Sequence, residues 1–179
     1  MASINKAENM VGGWLKSVPH LPKGGQKWIA ENAWWIVLIG VIASAIAVLT
    51  GIGAIFAYMT WVGNTPVYSG YYVTSPYGAG WIIGSVVSLL FSILIVILLA
   101  TAITPLKALK KKGWDRLFLV LVVDAVSAVV GAILSFSILG FIFGIVFGAI
   151  GLAISAYFTF EVRSYFGAVH TTPAKTAKK

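Results

Sequence analysis

One ionisable residue stands where an ionised side chain is costly. Asp124 lies in the run LFLVLVVDAVSAVVGAIL, eight residues beyond Arg116, or about 12 Å along a helix rising 1.5 Å per residue. If that run crosses a membrane, Asp124 falls near the middle of a hydrocarbon layer about 30 Å thick. An acid at that depth is expensive and by default a functional-site hypothesis. No Lys, Arg or His lies in any of the apolar runs to neutralise it. The carboxyl must then be protonated, hydrogen-bonded, hydrated or bound to a cation. Ser127 stands one turn further on, and Ser44, Ser88, Ser92, Ser155 and Tyr157 are hydroxyls that other runs could bring near. Three readings follow: a proton or cation site built on Asp124 and Ser127, a neutral carboxyl that ties helices together, or an acid near the membrane interface. Carriers of ions commonly show several intramembrane polar sites or a broken helix. A single acid, with no proline inside a span, favours the structural reading.

Little other chemistry can be assembled. The two histidines, His20 and His170, lie far apart in sequence and outside the apolar runs, and Cys is absent. No thiolate nucleophile, disulfide framework or cysteine metal site is available. The glycines do not form a phosphate loop, since no Lys-Ser/Thr follows them. The expectation is a protein that is not an enzyme and needs no cofactor or metal.

The elements that must position Asp124 follow from composition. Of 179 residues, 59% are apolar and only 10% charged. A soluble domain carries about a quarter charged residues, so the outer surface here must be lipid. No charged residue lies between Glu31 and Lys107. Four runs reach the roughly 20 residues a spanning helix needs: about 33–59, 79–104 (which Pro105 ends), 117–135 and 138–160. They are too long and too continuously apolar for membrane β-strands. The expected fold is an all-α, four-helix transmembrane bundle. It is preceded by an N-terminal segment, 1–32, and followed by a basic tail, 161–179.

Charge sets the orientation. With four spans, all thirteen Lys and Arg fall on one side. Basic residues near span ends mark the cytoplasmic side. Both termini are therefore expected in the cytoplasm, the setting being a prokaryotic cytoplasmic membrane. Trp28, Trp34, Trp35, Trp61, Trp81 and Trp114 fall near span ends, where an interfacial belt belongs. The opening thirty residues do not read as a cleavable signal, which would place a short apolar stretch soon after a basic start.

Outside the spans, the first eighteen residues repeat Ile4, Ala7, Val11, Trp14, Leu15 and Val18 at three- and four-residue spacing, with Lys6, Glu8, Asn9 and Lys16 largely on other faces. That pattern fits a helix lying in the interface. Gly12 and Gly13 weaken it, and an unstructured arm is the alternative. Pro19, Pro22, Gly24 and Gly25 read as a turn before the first span. The segment 61–80 crowds Tyr68, Tyr71, Tyr72 and Tyr77 together, as an aromatic belt or a partner surface. Lys107, Lys110, Lys111, Lys112 and Arg116 form a basic cluster that suits anionic headgroups. Orientation already demands this cluster, so lipid rather than nucleic acid is the expected partner. Glu161, beside Arg163, reads as an ordinary charge at a span end.

Packing between helices in lipid depends on close approach through small residues. Gly80, Gly84 and Ser88 recur four apart in the second run, as do Gly140, Gly144 and Gly148 in the fourth. These stripes are expected to face neighbouring helices, within the chain or in a homo-oligomer or larger membrane complex.

The phrase Lys111-Lys112-Gly113-Trp114-Asp115-Arg116-Leu117-Phe118 resembles one found in small uncharacterised four-span membrane proteins of candidate-phylum bacteria. The resemblance covers about ten residues and the topology, and it implies no activity. The expected function is that of a structural, scaffold or accessory subunit working through helix and loop contacts. The alternative is a small oligomeric channel, or a proton- or cation-coupled transporter, centred on Asp124.

Overall fold

The computed structural model describes residues 2–15, 17–64, 79–135 and 137–167. They form helices α1 (Ala2–Leu15), α2 (Lys23–Asn64), α3 (Ala79–Lys107), α4 (Lys111–Ile133) and α5 (Ile138–Glu161), then one 3₁₀ turn, Arg163–Tyr165. No strand occurs among the described residues. Helices α2 to α5 are long and apolar enough to cross a membrane. The tyrosine-rich stretch and the basic tail from His170 lie outside the described residues.

Three helix limits differ from the sequence reading. Helix α2 begins at Lys23, so Gly24 and Gly25 lie in its first turn rather than in a loop. Helix α4 begins at Lys111, six residues before the apolar run, so most of the basic cluster is helical. Pro105 does not end α3, which continues to Lys107. A helical proline leaves the carbonyl four residues earlier without its donor. Here that carbonyl belongs to Thr101, and the guanidinium of Arg116 donates to it. A side chain assigned to lipid thus completes the last turns of α3.

The α3–α4 connection is only three residues long. Leu109 takes a left-handed conformation, φ 47°. The Leu109 N–H donates to the Leu106 carbonyl and the Lys110 N–H to the Pro105 carbonyl, both at 2.9 Å. This paired closure is the Schellman arrangement, with leucine where glycine is usual. The Leu109 carbonyl in turn accepts the Gly167 N–H at 2.9 Å.

Packing runs in chain order: α2 against α3, α3 against α4, α4 against α5, with α1 lying against α5. Small residues make these approaches close. A Cβ on Gly84 would stand 3.3 Å from the Leu134 carbonyl oxygen, and one on Gly148 would stand 3.2 Å from Ala128 Cβ. One on Gly144 would stand 3.4 Å from Ala132 Cβ, whereas Gly140 faces Ser135 of its own turn. Ser137 caps α5, its hydroxyl accepting the Gly140 N–H at 3.3 Å. At the far end Tyr58 of α2 meets Trp81 of α3, ring centroids 4.6 Å apart.

The buried core sits at one end, where α2 and α4 begin and α3 and α5 end. It comprises Ala30 and Ala33, Ala102 and Leu106, Trp114 and Phe118, and Val162 and Phe166, with Leu121 above them. Trp114 is 1% exposed and does not belong to an interfacial belt. Its ring stacks on Phe118 at 5.6 Å and meets Phe160 edge-on at 5.5 Å. Its Nε1–H donates to the Thr159 carbonyl at 2.8 Å. That carbonyl is one of the last four of α5, which lack an intrahelical donor. Beyond this end the helices bury little: the central apolar stretches of α3 and α5 bury none of their residues within the chain.

Gly113 permits the arrangement. A Cβ there would fall 2.7 Å from the Leu106 nitrogen and 2.9 Å from the Pro105 carbonyl carbon, both backbone atoms. Gly113→Ala is therefore expected to push α3 and α4 apart and to cost about 1–3 kcal/mol, the usual range for overpacking. Thermal unfolding in detergent measures it, and an unchanged Tm would remove Gly113 from this role. Trp114→Phe keeps the ring stack and loses the bond to Thr159, so a smaller loss, about 1 kcal/mol, is expected in the same assay.

Candidate functional site

Above the core, α2 to α5 enclose a partly open cavity of about 770 Å³. Asp124 reaches it from α4, Ser44 from α2, Ser92 from α3 and Ser155 from α5. The remaining wall is almost wholly apolar, with Ile36, Ile95, Leu99 and Leu121 among its residues. Helices α2 and α5 are bonded to one another near their basic ends rather than packed along their lengths. That side of the cavity is therefore loosely closed.

Asp124 is half-buried. Among the described residues no side chain hydrogen-bonds to it and no cation pairs with it. The Ser92 hydroxyl donates back to the Ser88 carbonyl at 2.9 Å, as serines within helices commonly do. Ser127 and Ser88 do not line the cavity, and the Tyr157 hydroxyl donates to the Pro19 carbonyl at 2.7 Å, away from Asp124. Of the hydroxyls considered for Asp124, three share its cavity. No group of three His, Cys, Asp or Glu suited to a metal occurs among the described residues.

The basic cluster divides. Lys110, Lys111 and Lys112 are exposed. The Lys107 ammonium stands 5.1 Å from the centroid of the Trp34 ring, an arrangement that holds the cation over an aromatic face. Arg116 is committed to Thr101. Gly80 lies in the first turn of α3.

A second polar site escaped the sequence reading. Glu161 is buried, not a free charge at a helix end. Its Oε1 accepts from His20 Nδ1 at 2.5 Å. Its Oε2 accepts the Leu21 N–H at 2.8 Å and the Gln26 side-chain amide at 3.0 Å. One carboxylate thus holds the segment before α2, and the first turn of α2, against the end of α5. It sits where the partial positive charge of a helix start favours an anion. Beside it Arg163 pairs with Glu8 of α1 and lies over the Trp114 ring at 5.2 Å. Glu8, placed by sequence on a solvent face, is buried for this reason. Gly12 also has a packing role, since a Cβ there would stand 3.3 Å from Phe160. Met10 and Trp14 of α1 remain exposed. Gly12, His20, Gln26, Glu161 and Arg163 border a smaller cavity of about 300 Å³. No periodicity in the sequence links residues some 140 positions apart, which is why the cluster was not legible there.

Glu161→Ala leaves the Leu21 N–H and His20 without their acceptor, and the Gln26 amide keeps only the Leu21 carbonyl. A loss of about 1–3 kcal/mol is expected from such unpaired groups, together with faster amide hydrogen exchange over residues 20–26. Unchanged exchange in that segment would show that Glu161 does not hold it. No protein-family model matches the chain, and no curated protein or solved structure matches it either.

Proposed function

We propose that the chain is a non-catalytic integral membrane protein, a four-helix bundle that serves as a structural or accessory subunit of a larger assembly. The observation that carries this reading is the distribution of packing. The helices are tied together at one end, while their central stretches leave large apolar side chains such as Ile46, Leu49, Phe56 and Phe147 exposed. Gly53, Gly131 and Gly151 are exposed as well, and a Cβ on any of them would meet nothing within 4 Å. A neighbouring helix could approach closely there. In the sequence all thirteen Lys and Arg lie in the three segments that a four-span arrangement puts on one side. This supports cytoplasmic termini in a prokaryotic membrane, with Lys110, Lys111 and Lys112 facing anionic headgroups.

Mild extraction of the tagged chain from its own membrane, with mass measurement of the particle, tests this reading. A stoichiometric partner or a defined homo-oligomer is expected. A Cβ at Gly53, Gly131 or Gly151 meets none of the described residues within 4 Å, so at least one of Gly53→Leu, Gly131→Leu and Gly151→Leu should reduce the assembly while leaving the fold of the monomer intact. A lone chain with no partner, unaltered by all three, would overturn the proposal. Gly144→Leu should instead disturb the α4–α5 contact itself.

A second reading is favoured by the cavity. Asp124 and three serine hydroxyls from three other helices line one space with Thr159, as a proton- or cation-coupled transporter or small oligomeric channel would require. Flux in liposomes tests it: Asp124→Asn should abolish conduction of protons or cations, and equal conduction by the variant would exclude the site.

A further inference from the structure

We propose that the Asp124 cavity binds a lipophilic amine, a molecule with a hydrocarbon body and one basic nitrogen. The inference rests on the cavity walls alone and holds whether the chain works as a subunit or as a carrier. The volume of about 770 Å³ lies within the range of small-molecule sites, which are mostly apolar with a few polar groups that fix orientation.

The chemistry of the occupant follows by elimination. Among the described residues no Lys, Arg or His lines the cavity, so the positive charge that balances an ionised Asp124 comes from outside the chain. A hydrocarbon would leave the carboxylate neither neutralised nor hydrogen-bonded. An alcohol would supply a hydrogen bond but no charge. An anionic amphiphile would be repelled. A bare divalent cation wants six or more oxygen ligands, and here it would find one carboxylate and the hydroxyls of Ser44, Ser92, Ser155 and Thr159 among apolar walls. A protonated amine satisfies the carboxylate through a charge-assisted hydrogen bond, while Ser44 and Ser155 offer acceptors for its other N–H groups. Its chain covers Ile36, Ile95 and Leu99, which would otherwise face an open space. The loosely closed α2–α5 side gives such a molecule a lateral route from apolar surroundings.

The test uses the full chain in phosphatidylcholine nanodiscs and radiolabelled dodecylamine, with empty nanodiscs as the blank. Saturable binding above the blank, near one probe per chain, is expected. Unlabelled amine should displace it, and dodecanol at the same concentration should not. Asp124→Asn should weaken binding at least tenfold, and Ala47→Trp, which fills the cavity from α2, should do so as well. Uptake no greater than that of empty nanodiscs, equal displacement by dodecanol, or unchanged binding by Asp124→Asn would each overturn the proposal. The dodecanol comparison uses the native chain, so it decides the matter even if a variant fails to fold.

Discussion

The close approach of Gly113 to the backbone of α3 governs the rest of the arrangement. With no side chain at that position, the first turn of α4 lies against Pro105 and Leu106. The next residue, Trp114, is thereby carried into the space between four helices. Its ring provides the surface against which Phe118, Phe160 and Arg163 are arranged. Its N–H closes an open carbonyl of α5. Remove the approach, and the tryptophan loses the position from which it joins α4 to α5.

Several neighbouring features depend on that geometry. Arg163, held over Trp114, is the partner of Glu8, so α1 docks on α5 through a charge whose position the tryptophan sets. Arg116 lies close enough to α3 to occupy the carbonyl that Pro105 leaves open. Glu161 gathers the chain before α2 onto the same end. Glu8, Glu161 and Trp114 are buried here and each has a partner, and an unpartnered buried group would cost roughly 1–3 kcal/mol.

The middle of the helices follows a different rule. In the membrane setting proposed above, apolar side chains gain nothing by turning inward, and only backbone approach through small residues draws helices together. Ala128 and Ala132 of α4 face Gly148 and Gly144 of α5 in this way. Between α2 and α5 no such pairing closes the space, and the cavity with Asp124 remains. The acid thus lies in a wall among apolar side chains rather than in a polar cluster, which restricts what it can bind.

The sequence by itself determined the four long apolar helices, because an uncharged run of twenty or more residues has few other stable forms. It also marked Asp124 as costly and identified the small-residue positions, since residue type and spacing are local properties. It misjudged Trp114, Arg116, Glu8 and Glu161. Each looks like an ordinary residue at a helix end until a distant partner is known. Whether a tryptophan sits in a belt or a core depends on Phe160 and Thr159, more than forty positions away. Which serines share a space with Asp124 depends on how four helices rotate about their axes. Those relations are set by packing among residues remote in the chain, and only the tertiary structure decided them.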